Sequence, residues 1–598
     1  MAPALSAILA GTLWLAAAGT AAAAQTPGKA CPAAATLDSI CTTSYARGVL
    51  PDSSVLPGVT IDPASVETTV SRNVSVTSGW YPAATIEYCN VTFAYSHDGI
   101  ANDKVHVTYW LPAPSAFKNR YVSTGGGGLA INSGTGYIPS GVIVGAVSGI
   151  TDGGFGSFKT NWDQVFLEAE GVVNWQSTKM FGYRAHHELA VLGKALARNA
   201  YKVPAQQKIY SYYQGCSEGG REGWSQLQRY PDQFDGAAIG APAFRYAQQQ
   251  VNHLTGNLIE QTTGYFPPSC ELDKIAELTI AACDPLDGLT DGIVSRSDLC
   301  KLRFNLTSII GTPYSCEANT GGGFPFRSRL LRRQFGPPSP TPAQNGSITA
   351  SGVAVVSAFL DGLFDSSGRR VYLPWQPGTT FADLATSYST DTSSWGLSIN
   401  GLGGEWVARF LQLHDTSNLA TLEGVTGDTL KDWMQQGMDQ YHDILQTTNP
   451  DLGSLRAAGA KVLHVHGEQD NSIPTAASVR YYESVRKGLF PGKGLNESVK
   501  AMDGFLRMFL VPGAGHCGSN SAQPGSPWPR TTLQTVIEWV EGGKAPETLS
   551  AEGGSIGELC KWPLRPRWNA EGGMLCEFDQ TSLDSWVYDL DAWDQPIY

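Results

Sequence analysis

Gly215-Cys216-Ser217-Glu218-Gly219 is the stretch of this 598-residue chain whose residue types and spacing most directly suggest chemistry. The pattern G-x-S-x-G requires a sharp turn from strand into helix, which presents a serine hydroxyl above a sheet as a nucleophile. Glycine on either side lets the backbone turn without a Cβ clash. The pattern is weak alone, and the chain holds a second copy, Gly553-Gly554-Ser555-Ile556-Gly557. Their flanks separate the two. KIYSYYQG before Ser217 reads as a strand, and GGREGWSQLQRYP after it reads as a helix. Ser555 has neither flank and no histidine after it, so it reads as a loop.

A serine nucleophile needs a base and an acid that orients the base, in the chain order serine, acid, histidine. Asp470 follows the apolar run KVLHVHG, at the end of a strand where catalytic loops gather. Glu468 in the same loop and Asp503 in AMDGF are its rivals, Asp503 reading as an exposed helix acid. Of the ten histidines only His516 comes later, in the glycine-flanked loop VPGAGHCG. His464 and His466 share one strand face and read as structural, bordering the pocket at most. The oxyanion of an acyl-transfer intermediate needs two N–H donors. Glu218 N–H supplies one at the start of the helix, and Gly125-Gly126-Gly127-Gly128 after the strand RYVST supplies the other, with Gly127 favoured. Losing one such donor typically raises the barrier by roughly 3–4 kcal/mol.

A cysteine sits beside each reacting residue: Cys216 before Ser217 and Cys517 after His516. A bond between them would staple the nucleophile turn to the histidine loop. In the loop-entropy description so long a loop stabilises by at most roughly 5–6 kcal/mol, less where other crosslinks exist. The chain holds eleven cysteines, so one is left over if the rest pair. Residues 1–24 read as a signal peptide, an apolar run ending in small residues before Gln25, although no Lys or Arg precedes the run. Sequons at Asn73, Asn90, Asn305, Asn345 and Asn496 fit the same secretory route. A net charge of −13 argues against nucleic acid as a partner, and no later run suggests a membrane span.

Those residues need a scaffold. From Asn90 to about Gly149 apolar and polar residues alternate as in strands. MFGYRAHHELAVLGKALARNAY has helical spacing, and the text around Ser217 repeats strand, helix, strand, which implies a parallel sheet. The pattern then breaks and returns at KVLHVHG and RMFLVPGAGHC. The reading is an α/β-hydrolase core in two parts, residues 25–245 and 451–598, with a large inserted lid at 246–450.

The CS…D…HC arrangement resembles the tannase and feruloyl esterase family of secreted hydrolases. The similarity runs from about Cys41 to the C-terminus and is sharpest in YQGCSEGGREGWSQ, GAPAFRYAQQQV, CDPLDGLTDGIVSRSDLC and GAGHC. The resemblance implies the triad Ser217, Asp470 and His516, an α/β-hydrolase core with a lid, and hydrolysis of galloyl esters and depsides to gallic acid. A feruloyl esterase would share every motif. A non-catalytic hydrolase-like binding protein is the rival of another class, and the intact triad speaks against it. Trp395, Trp406, Arg409 and Phe410 are candidates for lining the pocket or for lid core.

Within the insertion, CDPLDGLTDGI spaces three carboxylates through a tight loop, a spacing that suits hard oxygen ligation of Ca²⁺. The resemblance implies a structural calcium held by Asp284, Asp287, Asp291 and the carbonyls of Leu289 and Ile293. Cys283–Cys300 would close that loop. Cys41–Cys89, Cys270–Cys316 and Cys560–Cys576 are the further pairs expected, which leaves Cys31 over. Arg332-Arg333, in RSRLLRRQFGPPSPTP, invites a kexin-type protease. Under this pairing only Cys216–Cys517 would join the two fragments.

Overall fold

The computed structural model describes residues 35–319 and 340–598. The expected signal peptide, Cys31 and the Arg332-Arg333 site lie outside the described residues.

One nine-stranded sheet organises the chain. In chain order its strands are β1 (Val59–Ser78), β2 (Tyr81–His97), β3 (Val105–Pro112), β4 (Arg120–Thr124), β5 (Ala146–Thr151), β6 (Tyr210–Cys216), β7 (Gly236–Gly240), β8 (Lys461–Gly467) and β9 (Leu506–Val511). Across the sheet they run β1-β2-β3-β5-β4-β6-β7-β8-β9. The first four in that order pair antiparallel, and every pair from β5-β4 to β8-β9 is parallel. The sheet is therefore mixed, and the parallel half is the part that the strand, helix, strand text implied. β5, β7 and β9 are buried along their whole length, as near-continuous apolar runs are in parallel sheets covered on both faces. The alternating text at Asn90 is the middle of β2, and the sheet begins earlier, at Val59. β1 is long and mostly exposed, so it lacks the apolar contrast that would have marked it as a strand.

Helices cover the parallel half. α1 (Ala185–Ala200) continues from a π-helical turn at Met180–Arg184, which matches the single helix expected over this text. α2 (Glu218–Arg229) follows β6 and is buried on nearly every side. Between β7 and β8 the expected insertion brings α3 (Tyr246–Asn252), α4 (Ser269–Cys283), α5 (Ala350–Asp361) and α6 (Gly427–Leu445). It has an apolar cluster of its own around Ile275, Val356, Phe359 and Trp375. It is also packed into the main core, where Phe410 meets Trp162 and Phe166 at ring separations of 4.6 and 4.4 Å. α7 (Ala476–Leu489) follows β8, and α8 (Thr532–Gly542) packs on β7 and β8.

Five disulfides close as expected: Cys41–Cys89, Cys216–Cys517, Cys270–Cys316, Cys283–Cys300 and Cys560–Cys576. The registers Cys216 to Gly240 and Gly467 to Val511 bring the carboxyl ends of β6 to β9 to one edge. In open α/β sheets that edge is where ligands bind. The loops carrying Ser217, Asp470 and His516 all leave the sheet there.

Candidate active site

Ser217 stands between the last residue of β6 and the first of α2, at φ 65° and ψ −125°. A non-glycine residue in such a conformation costs of order 1–3 kcal/mol and persists only where its surroundings hold it. Here its N–H donates to the Gly240 carbonyl at 3.1 Å, and its carbonyl accepts from Arg221 and Ala243 N–H at 3.0 and 3.2 Å. A Cβ at Gly219 would lie 2.7 Å from the Gly126 carbonyl oxygen, so glycine is what lets the turn approach the Gly125–Gly128 loop.

His516 Nε2 is 2.9 Å from Ser217 Oγ, and His516 Nδ1 is 2.8 Å from Asp470 Oδ2. Asp470 is buried. Its Oδ1 accepts N–H from Ser472 and Ile473 at 2.8 and 2.9 Å. Burial works to raise its pKa. The charge of His516 and the hydrogen bonds from His466 and His516 outweigh burial and hold the carboxyl well below the usual range. The acid loop and the histidine loop are joined along their backbones: Glu468 N–H donates to Val511 and Gln469 N–H to Ala514. A Cβ at Gly467 would lie 2.2 Å from the Gly515 carbonyl oxygen, so this approach too requires glycine.

The rivals have other partners. Glu468 accepts from Ser297 N–H at 2.9 Å and pairs with the buried Arg565. Asp503 pairs with Lys561 at 2.6 Å and is largely enclosed, contrary to the expectation of an exposed acid. Ser555 lies in a loop and contacts Asp291.

The oxyanion expectation divides. Glu218 N–H, at the start of α2, has no protein acceptor among the described residues. Its carboxylate is bound to Arg221, with Oε1 2.6 Å from Nη2. Gly127 needs correction: its N–H donates to the Ala130 carbonyl at 3.0 Å, closing a two-residue turn in which Gly128 has φ 61°. Gly125 N–H goes to the Gln214 carbonyl and Gly126 N–H to Glu222 Oε2 at 2.7 Å. Gly128 N–H alone of the four is without a protein acceptor among the described residues.

Two supporting residues, Trp80 and Glu222, carry no signal in the sequence. Trp80, at the turn between β1 and β2, donates from Nε1 to the Cys517 carbonyl at 3.1 Å, and its own carbonyl accepts from Gln214 Nε2 at 3.0 Å. It therefore bridges the cysteine staple and β6. Glu222 ties the glycine loop to α2 and lies 3.0 Å from His186 Nε2. Both act through contacts distant in sequence, which no local pattern signals. His466 was placed with the structural histidines, yet its Nε2 reaches Asp470 Oδ2 at 3.1 Å.

The family model for tannase and feruloyl esterase matches residues 89–582. The chain belongs to this family. It is 46% identical over 578 residues to the tannase of Aspergillus oryzae, covering 94% of this chain and 97% of the relative. It is 31% identical over 512 residues to a probable feruloyl esterase of Arthroderma benhamiae, covering 84% and 86%. Among solved structures, tannin acyl hydrolase from Aspergillus niger superposes with a TM-score of 0.90 at 50% identity, over 95% of this chain and 100% of that one. Feruloyl esterase B from Aspergillus oryzae shares the fold, with a TM-score of 0.62 at 23% identity over 87% and 97%. The chain is thus a carboxylic ester hydrolase of this family, built on a mixed α/β sheet.

In this family member the acidic loop is a self-satisfied turn. Asp284 accepts N–H from Asp291 and Gly292 at 3.0 and 2.9 Å, Asp287 from Leu289 and Ser295 at 2.8 and 3.2 Å, and Asp291 from Ile293 at 3.0 Å. Among the described residues no three acidic, histidine or cysteine side chains converge as a metal shell. The donor chemistry still fits a hard cation, because three carboxylates and the Leu289 and Ile293 carbonyls share one turn; burial, with a smaller contribution from Asp291, pushes Asp287 up to about 6, and burial raises Asp291. Of the four aromatic and basic candidates, Trp406 and Phe410 are buried core. Arg409 is paired with Glu405 and Asp415, and Trp395 packs edge-on to Tyr388. Asn73, Asn305, Asn345 and Asn496 are exposed, whereas Asn90 is half-buried in β2 with its Oδ1 enclosed.

Proposed function

We propose that this chain is a secreted tannin acyl hydrolase whose Ser217, His516 and Asp470 cleave galloyl esters and depsides. The relay from Ser217 Oγ through His516 to Asp470, at 2.9 and 2.8 Å, carries this reading. His516 Nε2 takes the proton of Ser217 as Oγ attacks the ester carbonyl. The oxyanion is held by Glu218 N–H and by an amide of the glycine loop, for which Gly128 is the free donor. The C–O bond to the alcohol breaks, and the leaving oxygen takes the proton from His516. Water, deprotonated by His516, then cleaves the galloyl-serine, releasing gallic acid and restoring Ser217. Asp470 keeps His516 in the tautomer that accepts at Nε2 and stabilises the imidazolium.

Residues 246–450 act as the lid over this edge, and the two tannase relatives support gallate over ferulate as substrate. Secretion is supported by five disulfides and four exposed sequons, and among the described residues no helix is long and apolar enough to cross a membrane. Asp284, Asp287 and Asp291, with the Leu289 and Ile293 carbonyls, would hold a calcium ion whose role is to neutralise the loop's charge. The deciding experiment compares methyl gallate with methyl ferulate, using wild type and Ser217→Ala. Gallate cleavage by wild type, lost by at least about 10⁴-fold in the variant, is the expected result. Ferulate preference would overturn the substrate, and activity surviving in Ser217→Ala would overturn the nucleophile.

A further inference from the structure

The hydrogen-bond chain of the site continues past Asp470. His466 Nε2 lies 3.1 Å from Asp470 Oδ2 and 3.1 Å from the Ile473 carbonyl oxygen. A carbonyl oxygen only accepts, and an ionised carboxylate only accepts. His466 must therefore carry its proton on Nε2 and share it between the two. In the neutral ring its Nδ1, 2.6 Å from Ser478 Oγ, accepts the Ser478 hydroxyl proton. Ser478 Oγ in turn lies 2.8 Å from His464 Nε2, whose N–H it can accept. Burial and the neighbouring His466 depress His464 well below its ordinary pKa, consistent with this neutral form. All these side chains are buried.

We propose that His466 is a positioning residue for the hydrolysis, holding Asp470 Oδ2 as a second donor beside His516. The proposal rests on Asp470 being the acid of the triad. With His466 in place every N–H aimed at Asp470 is fixed: two backbone donors on Oδ1 and two imidazoles on Oδ2. The carboxylate is thereby oriented and its charge is divided between two rings. Without His466, Asp470 becomes more basic and pairs more strongly with protonated His516. The acid limb of the activity profile then moves to higher pH.

Among the described residues no other charge near Asp470 is placed to do the same. Glu468 is committed to Arg565 and Ser297. Asp383, from the insertion, feels Asp470 but is bound to His253 at 2.8 Å and to Asn400 at 2.8 Å. Arg245 turns to the Ala477 carbonyl at 3.2 Å on α7.

The test is kinetics on methyl gallate from pH 3 to 8 for His466→Phe, His466→Gln and Ser478→Ala. Rates are taken per active site, counted with a serine-directed organophosphate, so that misfolded protein does not enter. In His466→Phe, kcat is expected to fall about 10–100-fold, the size of a charge-assisted hydrogen bond, with KM within about threefold. The acid limb of kcat/KM should rise by about one pH unit. His466→Gln, which keeps an N–H donor, should recover much of both. Ser478→Ala, which removes the partner of His466 Nδ1 and of His464 Nε2 but leaves the His466–Asp470 contact in place, should shift the limb in the same direction by less. A limb and a per-site kcat equal to wild type in His466→Phe overturn the proposal. If that variant does not fold, a wild-type limb in Ser478→Ala overturns it. Ser217→Ala keeps the two readings apart: an inactive Ser217→Ala beside an unaffected His466 series defeats only this inference.

Discussion

At the scale of single residues, Glu222 links two parts of the site that the chain separates by nearly a hundred positions. Its Oε2 accepts Gly126 N–H from the glycine loop, while its backbone belongs to the helix that begins at the nucleophile. Glu222→Ala should release that loop. We expect kcat to fall about 10–100-fold with KM little changed, short of the ~10²–10³ seen on removing an oxyanion donor outright. A proportional rise in KM would instead place Glu222 in substrate binding. That Ser217, Asp470 and His516 come together was legible because they obey an order and each sits in a telling local context: Ser217 in its strand-to-helix turn, Asp470 after KVLHVHG, His516 as the last histidine. His466 was not legible, since alternation along β8 puts it on a buried face beside His464, where core histidines also sit. Nothing in the sequence separates Gly127 from the other three glycines of the loop, because contacts to Gln214, Glu222 and Ala130 decide which amides are engaged.

At the scale of elements, the 284–293 loop shows what spacing can and cannot say. Spacing brings three Asp side chains onto one turn, but the turn consumes most of their oxygens on its own amides. The raised pKa of Asp287, about 6 against an ordinary 3.8, gives the loop a pH signature. Without metal the folded loop takes up a proton between those two values, so this group favours folding as pH falls through that window. With calcium the ion competes with that proton. Calcium should therefore raise the melting temperature above pH 6, and the increment should fade as pH drops below 6. Melting curves with calcium and with EGTA at pH 5 and 7 check this, and equal curves at pH 7 would remove calcium from the loop. β1 was missed for a different reason: a mostly exposed strand paired only to β2 has little apolar patterning to show.

At the scale of the whole molecule, the two hydrolase segments and the text between them were separable because sheet periodicity stops near Gly240 and resumes at Lys461. How deeply the insertion enters the main core was not visible, since Phe410 and Trp406 carry no mark that distinguishes packing on Trp162 from lining a pocket. The disulfide map makes the proposed cut after Arg333 measurable. Four bridges lie wholly on one side of it, and Cys216–Cys517 crosses it. We expect one band on a denaturing gel without reductant and two with it, with N-terminal sequencing reading Gln25 and Gln334. A single full-length band in both lanes would show that the dibasic site is not cleaved.

The same bridge has a consequence in time. Its partners are 301 residues apart, while the other four pairs are separated by 16 to 48. At ~5–20 residues per second, Cys216 waits on the order of 15–60 s for Cys517 to be synthesised. Cys270, Cys283, Cys300 and Cys316 all emerge during that wait and can close on one another first. Ser217 meets its base only when the long bridge can form, so a nascent chain leaving the ribosome carries its nucleophile for about half of its synthesis without the means to use it.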